Sequence, residues 1–362
     1  MSKKSIAVIG LKGIPAYGGA AAVGENIIEE LKNQYNFTVY AISSHTDKST
    51  GKYNGYNLIV FISLFITKLN IIYYYTAAAV HALLFSNYDL IHLHHRDASF
   101  ILILLKLKYK VILTTHGMVL TSKWSRYSKI FNIQDKIFLS FADIITCVSK
   151  KDKSIVEKKV NQSIVHIPNG IRLKMESANN YNSRKYLMFS SNRIIPSKGC
   201  HVFLNAMKNI NWNYEILIAG DLNHQLEYKN ELLQLSKHLN DVKFLGLIKN
   251  KNELEKYILN SKLFVYPSEI ESMSMMLLEV AALKTPIICC DIPENKDIFE
   301  DDEVIYFKKN NVIDLSQKIN WALNNYELIK RKAEKAFNKL KDHYLWKDIA
   351  LQYKKVYDQL LD

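Results

Sequence analysis

The sequence predicts an α/β fold of two doubly wound domains, each with a parallel sheet covered by helices on both faces. Three observations indicate this fold. Short segments that are almost wholly apolar alternate with segments of helical spacing, which is typical of parallel strands buried on both sides. The alternation stops at a polar stretch after residue 171 and then starts again. The 362 residues, 48% of them hydrophobic, favour two domains over one.

Strand-turn-helix units fill the first domain, which we place at residues 1–171. The apolar segment SIAVIGL is followed by the Gly-rich turn KGIPAYGGAAAVG and by a predicted helix over Glu25–Asn33. The further predicted strands are FTVYAIS, NLIVFIS, DLIHLHH, KVILTTH, IITCVS and IVHIPNGI. We expect Leu58–Ser63 to be a buried strand and about Asn70–Ser86 to be an apolar helix. Lys68 divides this region into parts too short to span a bilayer comfortably, so we expect the helix at a lipid surface at most.

The second domain repeats the pattern at residues 185–344, after a polar linker at 172–184. Its predicted strands are YLMFSSNRI, YEILIAG, VKFLGL, KLFVYPS and PIICCDI. A terminal helix follows at 345–362, with an apolar face made of Ile349, Tyr353, Val356, Tyr357 and Leu360. Open α/β sheets bind ligands at the carboxyl ends of their strands. We therefore expect the two domains to face each other across a cleft that holds the site.

The charge balance bears on the partners of the protein. The formal net charge of +13 favours polyanions or anionic membrane surfaces. Residues 101–160 hold twelve Lys or Arg against four Asp or Glu, a net charge of +8 in that window. One interpretation is a lysine-rich solvated surface, and the other is a basic face on anionic lipid. We expect no nucleic-acid partner, because the sequence has no zinc-finger spacing, RNA-binding sheet motif or basic zipper.

The cysteines and the amino-terminal segment predict the compartment. The four cysteines form no Cys-x-x-Cys pair, and Cys289 and Cys290 end an apolar run that predicts buried thiols. The segment KKSIAVIG predicts a strand rather than a signal peptide. We therefore expect a cytoplasmic protein, associated peripherally with the inner face of the bacterial plasma membrane if the basic face binds lipid.

Gly18 and Gly19 follow the first strand, where glycine allows a ligand to approach the backbone because it has no Cβ. The N–H groups at the start of the next helix can bind an anion. The local glycines do not form the Gly-x-Gly-x-x-Gly fingerprint of dinucleotide-binding proteins, and the Gly-Lys-Ser/Thr of a P-loop is absent. This excludes a nicotinamide dehydrogenase and leaves two interpretations, an anion site and a plain tight turn.

Two cations lie on the turn after the first strand of the second domain. Arg193 and Lys198 stand five residues apart in NRIIPSKG, just before a predicted helix. Cations that converge beside a helix N-terminus at the carboxyl end of a strand predict a diphosphate site. The alternative is a loop with two solvent-exposed charges.

The segment ESMSMMLLEV places Glu271 in a loop and Glu279 in a helix expected to begin near Ser272–Ser274. On one continuous helix, eight residues advance about 12 Å. This distance matches the separation between the transferred sugar and the ribose in a nucleotide sugar, rather than the shorter separation of two carboxylates in an acid–base dyad. A carboxylate can accept two hydrogen bonds from the diol of a ribose, and the amides of Ser272–Met275 can hold phosphate. Alternatively, Glu279 pairs with a lysine.

Several residues near these motifs are assigned to structure rather than to chemistry. We expect the methionine side chains of this segment, Met273, Met275 and Met276, in the core. The histidines of HLHHRD lie at a strand end, but no third ligand with a clear geometry accompanies them, so we expect no metal site. His116, at the end of the strand in TTHGM, is either a packed core histidine or a residue of the cleft.

Together these segments resemble the retaining glycosyltransferases of family 4, which have the two-Rossmann GT-B fold. The most specific parts are the seven-residue spacing between Glu271 and Glu279 and the segment NRIIPSKG. IPNGI, AGD and VKFLG agree in order and spacing, and KGIPAYGG resembles the amino-terminal loop of the rhamnosyltransferase-like branch. YLWKDIALQYKKVYDQL resembles the terminal helix that crosses back to the first domain.

The resemblance implies a role for individual residues. Arg193 and Lys198 neutralise the leaving diphosphate, which Gly18 and Gly19 approach from the other domain. Glu271 holds hydroxyls of the donor sugar, Glu279 holds the ribose, the backbone near Leu247 contacts the base, and His116 touches the donor sugar. The implied catalytic set is Arg193, Lys198, Glu271 and His116. The implied donor-binding set is Gly18, Gly19, Asn192, Leu247, Ser272, Met273, Ser274, Met275 and Glu279.

The implied activity is transfer of a hexose from a nucleotide sugar, with a UDP-sugar favoured, to a glycan or lipid-linked oligosaccharide, with retention and without a metal or cofactor. This fits the biosynthesis of a surface polysaccharide such as capsule or lipopolysaccharide. Ser272 and Ser274 depart from the glycines usual after the first glutamate, and Ala21 replaces a frequent glutamate. Two other functions remain open: a non-catalytic nucleotide-sugar-binding or scaffold protein, and a nucleotide-sugar epimerase.

Overall fold

The computed structural model describes residues 3–16, 19–64, 69–118, 128–173, 184–211 and 215–362, with the backbone alone for 128–131. Two compact units divide the chain. The first unit is Met1–Gly170 with Trp346–Asp362, and the second unit is Ile171–Leu345. Residues 174–183, most of the predicted linker, lie outside the described residues. Both units are α/β structures with mainly parallel sheets, and the predicted fold class of two doubly wound domains is confirmed.

The first unit is built on one sheet. Its strands are β1 (Ser5–Lys12), β2 (Asn36–Ile42), β3 (Gly51–Tyr53), β4 (Tyr56–Phe61), β5 (Leu90–His94), β6 (Lys110–Thr115), β7 (Ile144–Cys147) and β8 (Ser163–His166). Its described helices are α1 (Gly19–Leu31), α2 (Asn70–Phe85), α3 (Leu102–Leu105), α4 (Ser128–Phe138), α5 (Lys150–Glu157) and, from the end of the chain, α13 (Trp346–Leu361). The strand order is β3-β4-β2-β1-β5-β6-β7-β8, in which β3 alone pairs antiparallel.

The β3–β4 hairpin was not predicted, although the sequence carries its signal. Asn54 and Gly55 join the two strands, and both have a positive φ, 40° and 87°. Asn-Gly is the pair that two-residue hairpin turns favour, because both central residues must adopt a left-handed conformation. The expectation of a buried strand over Leu58–Ser63 is wrong in its second half. The strand ends at Phe61, and Ile62 is 80% exposed.

Helix α1 begins at Gly19, six residues before the predicted start. We had assigned Gly24 to the Gly-rich turn, but it lies inside the helix. A Cβ at Gly24 would stand 2.3 Å from Cδ2 of Leu11 in β1. Glycine at this position therefore allows close packing of α1 on β1 and does not mark a turn.

The second unit has a wholly parallel sheet. Its strands are β9 (Tyr186–Arg193), β10 (Ile216–Asp221), β11 (Val242–Gly246), β12 (Ser261–Tyr266), β13 (Ile287–Cys290) and β14 (Ile305–Phe307), in the order β11-β10-β9-β12-β13-β14. Its described helices are α6 (Cys200–Met207), α7 (Leu226–Ser236), α8 (Lys251–Asn260), α9 (Met275–Ala282), α10 (Pro293–Lys296), α11 (Val312–Asn324) and α12 (Tyr326–His343). The short edge strand β14 was not predicted.

From the middle of this sheet, successive strands are added first toward one edge and then toward the other. β10 and β11 lie on one side of β9, and β12, β13 and β14 lie on the other. The order of connection therefore reverses between β9 and β12. In open α/β sheets this switch point leaves a crevice at the carboxyl ends of the two strands, where ligands bind. The topology thus predicts that the loops after β9 and β12 form the ligand-binding site.

The terminal helix α13 belongs to the first unit, where its apolar face is buried. Ile349, Tyr353 and Tyr357 are each fully buried, and Val356 nearly so. The hydroxyl of Tyr357 lies 2.8 Å from Nδ1 of His92 in β5. The carboxyl-terminal residues of the chain therefore complete the core of its amino-terminal unit.

Two further observations concern the core and membrane crossing. All four cysteines are buried and none is in a disulfide, and burial raises the pKa of the Cys147 thiol to about 12.

Among the helices of the described residues, none combines the length and the apolar character needed to cross a membrane.

Candidate functional site

The loops after β9 and β12 meet at the switch point of the second unit. The amide of Glu269 donates to the carbonyl of Ser197 at 2.9 Å. Gly199 has a φ of 72°, and a Cβ there would stand 2.2 Å from the carbonyl oxygen of Pro267. Any other residue would separate the two loops, so glycine here keeps their side chains within reach of one another.

Lys198 and Glu271, one on each loop, form an ion pair. Nζ of Lys198 lies 2.6 Å from Oε1 of Glu271, and their side chains are 20% and 10% exposed. The hydroxyl of Tyr266, the last residue of β12, donates to the same Oε1 at 2.6 Å. Two predicted site residues are therefore in contact, together with a tyrosine that was not predicted. The sequence signal for Tyr266 was a hydroxyl at the end of the apolar run LFVY.

Arg193 is the last residue of β9, and its side chain is exposed, as is that of Asn192. Within the described part of the chain, no ion pair engages the Arg193 guanidinium. Lys198 follows on the loop after the same strand, so the two cations stand after one strand end. Guanidinium groups bind phosphate oxyanions through two parallel hydrogen bonds.

Helix α9 begins at Met275, and Ser274 is its N-cap, with Oγ accepting from the amide of Leu277 at 3.3 Å. Ser274 is 3% exposed, so its hydroxyl serves the helix start rather than an open sugar pocket. Met273 is buried, as expected of a core side chain, whereas Met275 and Ser272 are half-buried. The cap holds the first N–H groups of α9 at the switch point, close in sequence to Glu271.

Glu279 stands just over one turn into α9. Because residues 271–274 are not helical, the prediction of about 12 Å along one continuous helix does not apply to this segment. Oε1 of Glu279 lies 2.9 Å from Nζ of Lys251, the first residue of α8, whose side chain is 60% exposed. The lysine pairing that we considered as an alternative is thus present. An exposed lysine is weakly held, so this contact leaves a ribose site open.

Leu247 follows β11 and is 43% exposed. The preceding residue, Gly246, has a φ of 70°, and a Cβ there would meet no atom within 4 Å. The backbone beside Leu247 is therefore reachable from solvent at the carboxyl end of β11, two strands away from β9.

The first unit carries a different set of groups at the carboxyl ends of its strands. Nδ1 of His94, at the end of β5, lies 3.0 Å from Nε2 of His116, which follows β6. Burial, together with the neighbouring histidines, lowers the pKa of both imidazoles well below the ordinary value. Both rings are therefore neutral at pH 7, and each can donate one hydrogen bond and accept another.

The remaining predicted groups of the first unit are placed as follows. Gly19 is exposed and is the first residue of α1. Gly18 lies outside the described residues. No three His, Cys, Asp or Glu side chains of the described residues are grouped to hold a metal ion. Among the predicted site residues of the second unit, Lys198 and Glu271 are in direct contact.

Two family models match the chain, and together they cover residues 17–339. The model described as "Glycosyltransferase Family 4" matches residues 17–174. The model described as "Glycosyl transferases group 1" matches residues 172–339, which include every predicted site residue of the second unit.

Individual relatives agree with these matches. An uncharacterized glycosyltransferase of Methanocaldococcus jannaschii is 27% identical over 288 residues, 76% of this chain and 76% of its own length. The capsular polysaccharide biosynthesis glycosyltransferase CapH of Staphylococcus aureus is 25% identical over 264 residues, 70% of this chain and 72% of its own length.

Solved structures show the fold. A sucrose-phosphate synthase of Thermosynechococcus elongatus matches with a TM-score of 0.85 at 17% identity, covering 99% of both chains. HepE of Anabaena in complex with UDP-glucose matches with a TM-score of 0.78 at 16% identity, covering 98% of this chain and 99% of that one. The two family models cover most of the chain and the solved structures share its fold, and the chain therefore belongs to glycosyltransferase family 4, with the GT-B fold.

Proposed function

We propose that the protein transfers a hexose from a nucleotide sugar, with a UDP-sugar favoured, to a hydroxyl of a glycan or lipid-linked glycan, with retention at the anomeric carbon. The observation that carries the proposal is the contact between Lys198 and Glu271 at the switch point. Lys198 follows β9, the strand that ends at the exposed Arg193. A cation pair and a carboxylate at one crevice suit a ligand that has a diphosphate and a polyol next to each other.

The names of similar proteins support the substrate class. HepE has been solved with UDP-glucose, and CapH and the O-antigen biosynthesis glycosyltransferase WbnH of Escherichia coli act, by name, in surface polysaccharide biosynthesis. We therefore propose a surface polysaccharide intermediate, free or lipid-linked, as the acceptor. The donor and the acceptor are the partners in the reaction, and no cofactor is part of the proposal.

In the proposed mechanism, the bond between the anomeric carbon and the diphosphate oxygen breaks, and the acceptor oxygen forms the new bond on the same face of the sugar. The leaving nucleoside diphosphate gains negative charge in the transition state. Arg193 and Lys198 neutralise that charge, so the protein supplies the cations that a metal would otherwise supply. The acceptor proton passes to an oxygen of the departing phosphate. Glu271 holds hydroxyls of the donor sugar, and Glu279 holds the ribose.

The first experiment is a thermal-shift panel with uridine, guanosine and thymidine diphosphates. A ligand that binds the folded state alone raises the unfolding midpoint by mass action, so the base that fits gives the largest shift. We expect the largest shift with uridine diphosphate. A larger shift with another base would overturn the UDP preference, and no shift with any of them would count against a nucleotide-sugar site.

The second experiment separates transfer from other activities. The protein is incubated with the matching nucleotide sugars, with and without a glycan acceptor, and the products are followed. We expect release of nucleoside diphosphate that depends on the acceptor, and a product with the anomeric configuration of the donor. Isomerised sugar without acceptor would indicate an epimerase, and binding without any turnover would indicate a non-catalytic protein.

A peripheral contact with an anionic membrane is also part of the proposal. We define the α2–α3 apolar surface as Val80, Leu84 and Phe85 of α2, Ile103 and Leu104 of α3, and Leu107 after it. Leu84, Phe85 and Leu107 are each at least 70% exposed. Nζ of Lys108 donates to the carbonyl of Ser86 at 2.7 Å, which connects the end of α2 to the segment after α3. A contiguous exposed apolar patch on a monomer marks an interaction surface.

Charge favours anionic lipid as the occupant of this surface. Of the net charge of +13, +8 falls in residues 101–160, which include α3, α4 and α5. Two of the four acids of that window are in close ion pairs within the unit: Asp143 with Lys106 at 2.7 Å, and Asp135 with Arg96 at 2.6 Å and with Lys159. Lysines such as Lys136 are exposed on the surface. An apolar patch with basic neighbours suits the inner leaflet of a bacterial plasma membrane.

Flotation with phosphatidylglycerol vesicles tests this contact. We expect the wild type to float with these vesicles at low salt and much less with phosphatidylcholine vesicles, and Leu84→Asp to abolish flotation. Leu226→Asp is the matched control, because Leu226 is 66% exposed but lies in the second unit. Equal flotation of the two variants would contradict the proposed surface, as would no binding by the wild type.

A further inference from the structure

Two donors from different elements converge on one oxygen of Glu271. Nζ of Lys198 and the hydroxyl of Tyr266 each lie 2.6 Å from Oε1. Within the described part of the chain, no hydrogen bond reaches Oε2. This division is unequal for a carboxylate, which has lone pairs to share on both oxygens.

The two donors differ in how firmly they are held. Tyr266 is 3% exposed, in the central strand β12, and its ring stacks with that of Phe264 at a centroid distance of 6.3 Å. Burial, and secondly the Glu271 carboxylate, raises the pKa of the Tyr266 phenol well above its ordinary value, so the group stays a donor. Lys198 has a flexible stem and is the group that an incoming diphosphate attracts. Only the tyrosine can keep its hold on Oε1 throughout the reaction.

We infer that Tyr266 is a positioning residue, which holds Oε1 of Glu271 so that Oε2 remains the acceptor for a hydroxyl of the donor sugar. Lys198 shares Oε1 in the free protein and turns toward the diphosphate when the donor binds. The inference rests on the proposed function, because it assigns Oε2 to a sugar. It adds a residue to which neither the sequence motifs nor the comparisons assign a role.

This arrangement predicts which part of the donor depends on Tyr266. Without the phenol hydroxyl, Glu271 loses its permanent partner and can turn fully toward Lys198. Binding of the diphosphate and base does not involve Oε2 and should change little. Binding and transfer of the sugar should both suffer, because the acceptor oxygen is no longer oriented.

The test is Tyr266→Phe, which keeps the ring and removes the hydroxyl. Tyr186→Phe is the matched control: Tyr186 is the first residue of β9, at the amino end of the strand next to β12, and its hydroxyl donates to the carbonyl of Tyr257 at 2.7 Å. The binding of UDP is measured by calorimetry, and kcat/KM is measured with the UDP-sugar that the wild type turns over, starting with UDP-glucose. Unfolding midpoints verify that both variants fold.

For Tyr266→Phe we expect kcat/KM to fall about 10- to 100-fold, the usual effect of losing a hydrogen bond to a charged group, while the Kd for UDP stays within about 3-fold. In a Glu271→Gln background the same substitution should cost less than about 3-fold, because a residue that acts through another has no separate effect. Tyr186→Phe should change neither quantity by more than about 2-fold.

Three results would overturn the inference: unchanged kcat/KM, an equal loss in UDP binding and in transfer, or an undiminished effect in the Glu271→Gln background. Failure of the proposed function gives a different result. In that case the wild type itself neither binds UDP nor turns over any UDP-sugar.

Discussion

The two units share a topology but carry different chemistry at the carboxyl ends of their strands. In each sheet the first strand has the second and third parallel strands on one side and the fourth and later ones on the other. At this place the second unit presents Arg193, Lys198 and Glu271. In the first unit, a Cβ at Gly10 would stand 2.3 Å from the carbonyl oxygen of His94, so the ends of β1 and β5 are closely packed, and the nearby imidazoles are neutral.

This difference shows what strand order decides and what it leaves to the side chains. The order of connection creates a crevice at one position in each sheet. Whether that crevice attracts a dianion depends on the residues that follow the strands. In the second unit, charged side chains stay reachable from solvent. In the first unit, burial keeps the histidines uncharged and leaves them to hydrogen bonding.

The largest effect should come from the cations of the second unit. Arg193→Ala removes a charge that stabilises the leaving diphosphate, and one such donor is typically worth about 3–4 kcal/mol in the transition state. We expect kcat/KM to fall by roughly two to three orders of magnitude, measured as acceptor-dependent turnover. Arg331→Ala, an exposed arginine of α12, is the control and should be near-normal. Near-normal activity of Arg193→Ala would remove the role that we assign to it.

The neutral histidines of the first unit should make the protein sensitive to acid. Burial lowers the pKa of His92 to about 3 and that of His94 well below 6.5. The unfolded chain takes up protons below about pH 6.5 and the folded chain does not, so stability is present above that pH and lost as pH falls. We expect the free energy of unfolding to drop by about 1.4 kcal/mol between pH 7.5 and 5.5 for each such histidine. His92 and His94 together contribute about 3 kcal/mol, and His95 and His116, whose pKa values burial also lowers, add to the loss.

Urea denaturation at a series of pH values measures this loss, and hydrogen exchange locates it. Strands β5 and β6 should lose protection in acid before β9 and β12 do. His343→Gln is the control, because His343 is an exposed histidine of the second unit. Stability that is constant between pH 7.5 and 5.5, or that is lost first in the second unit, would contradict the comparison.

A smaller effect is expected from Glu279→Gln, which tests whether Glu279 binds the ribose or only pairs with Lys251. Glu279→Gln removes a charged acceptor, and we expect the Kd for UDP to rise about 10-fold. The preference of the wild type for UDP over 2′-deoxy-UDP should largely disappear, since the carboxylate would hold the ribose diol. Calorimetry with both nucleotides decides the point, and an unchanged preference would leave Glu279 with its lysine alone.

The smallest effect should follow from Lys251→Ala. The Lys251–Glu279 pair is largely exposed on the lysine side, and such pairs contribute about 1 kcal/mol or less to stability. We expect UDP binding to be as tight as in the wild type or slightly tighter, because Glu279 gains freedom to meet the ribose. Weaker binding would indicate instead that Lys251 contacts the donor.

The sequence predicted much of the fold because buried parallel strands leave a clear apolar pattern. The strands that were missed, β3 and β14, are too short to show that pattern. β3 is short and exposed at a sheet edge, and β14 has three residues. The start of α1 was misplaced because Gly24 was interpreted as a turn residue, whereas Leu11 packs against it. Local pattern does not show which neighbour a glycine makes room for.

By itself the sequence determined the alternation of strands and helices, the two-unit plan, and the charged residues after the strands of the second unit, because each is encoded in local composition and spacing. Only the tertiary structure decided that Lys198 and Tyr266 share one oxygen of Glu271, that Ser274 caps a helix, and that Lys251 pairs with Glu279. Two of these contacts, Lys198–Glu271 and Lys251–Glu279, join residues that follow different strands. Whether such groups form a hydrogen bond is decided by differences of a few tenths of an ångström in their separation. Strand order and packing set that separation, and the periodicity of the sequence does not encode it.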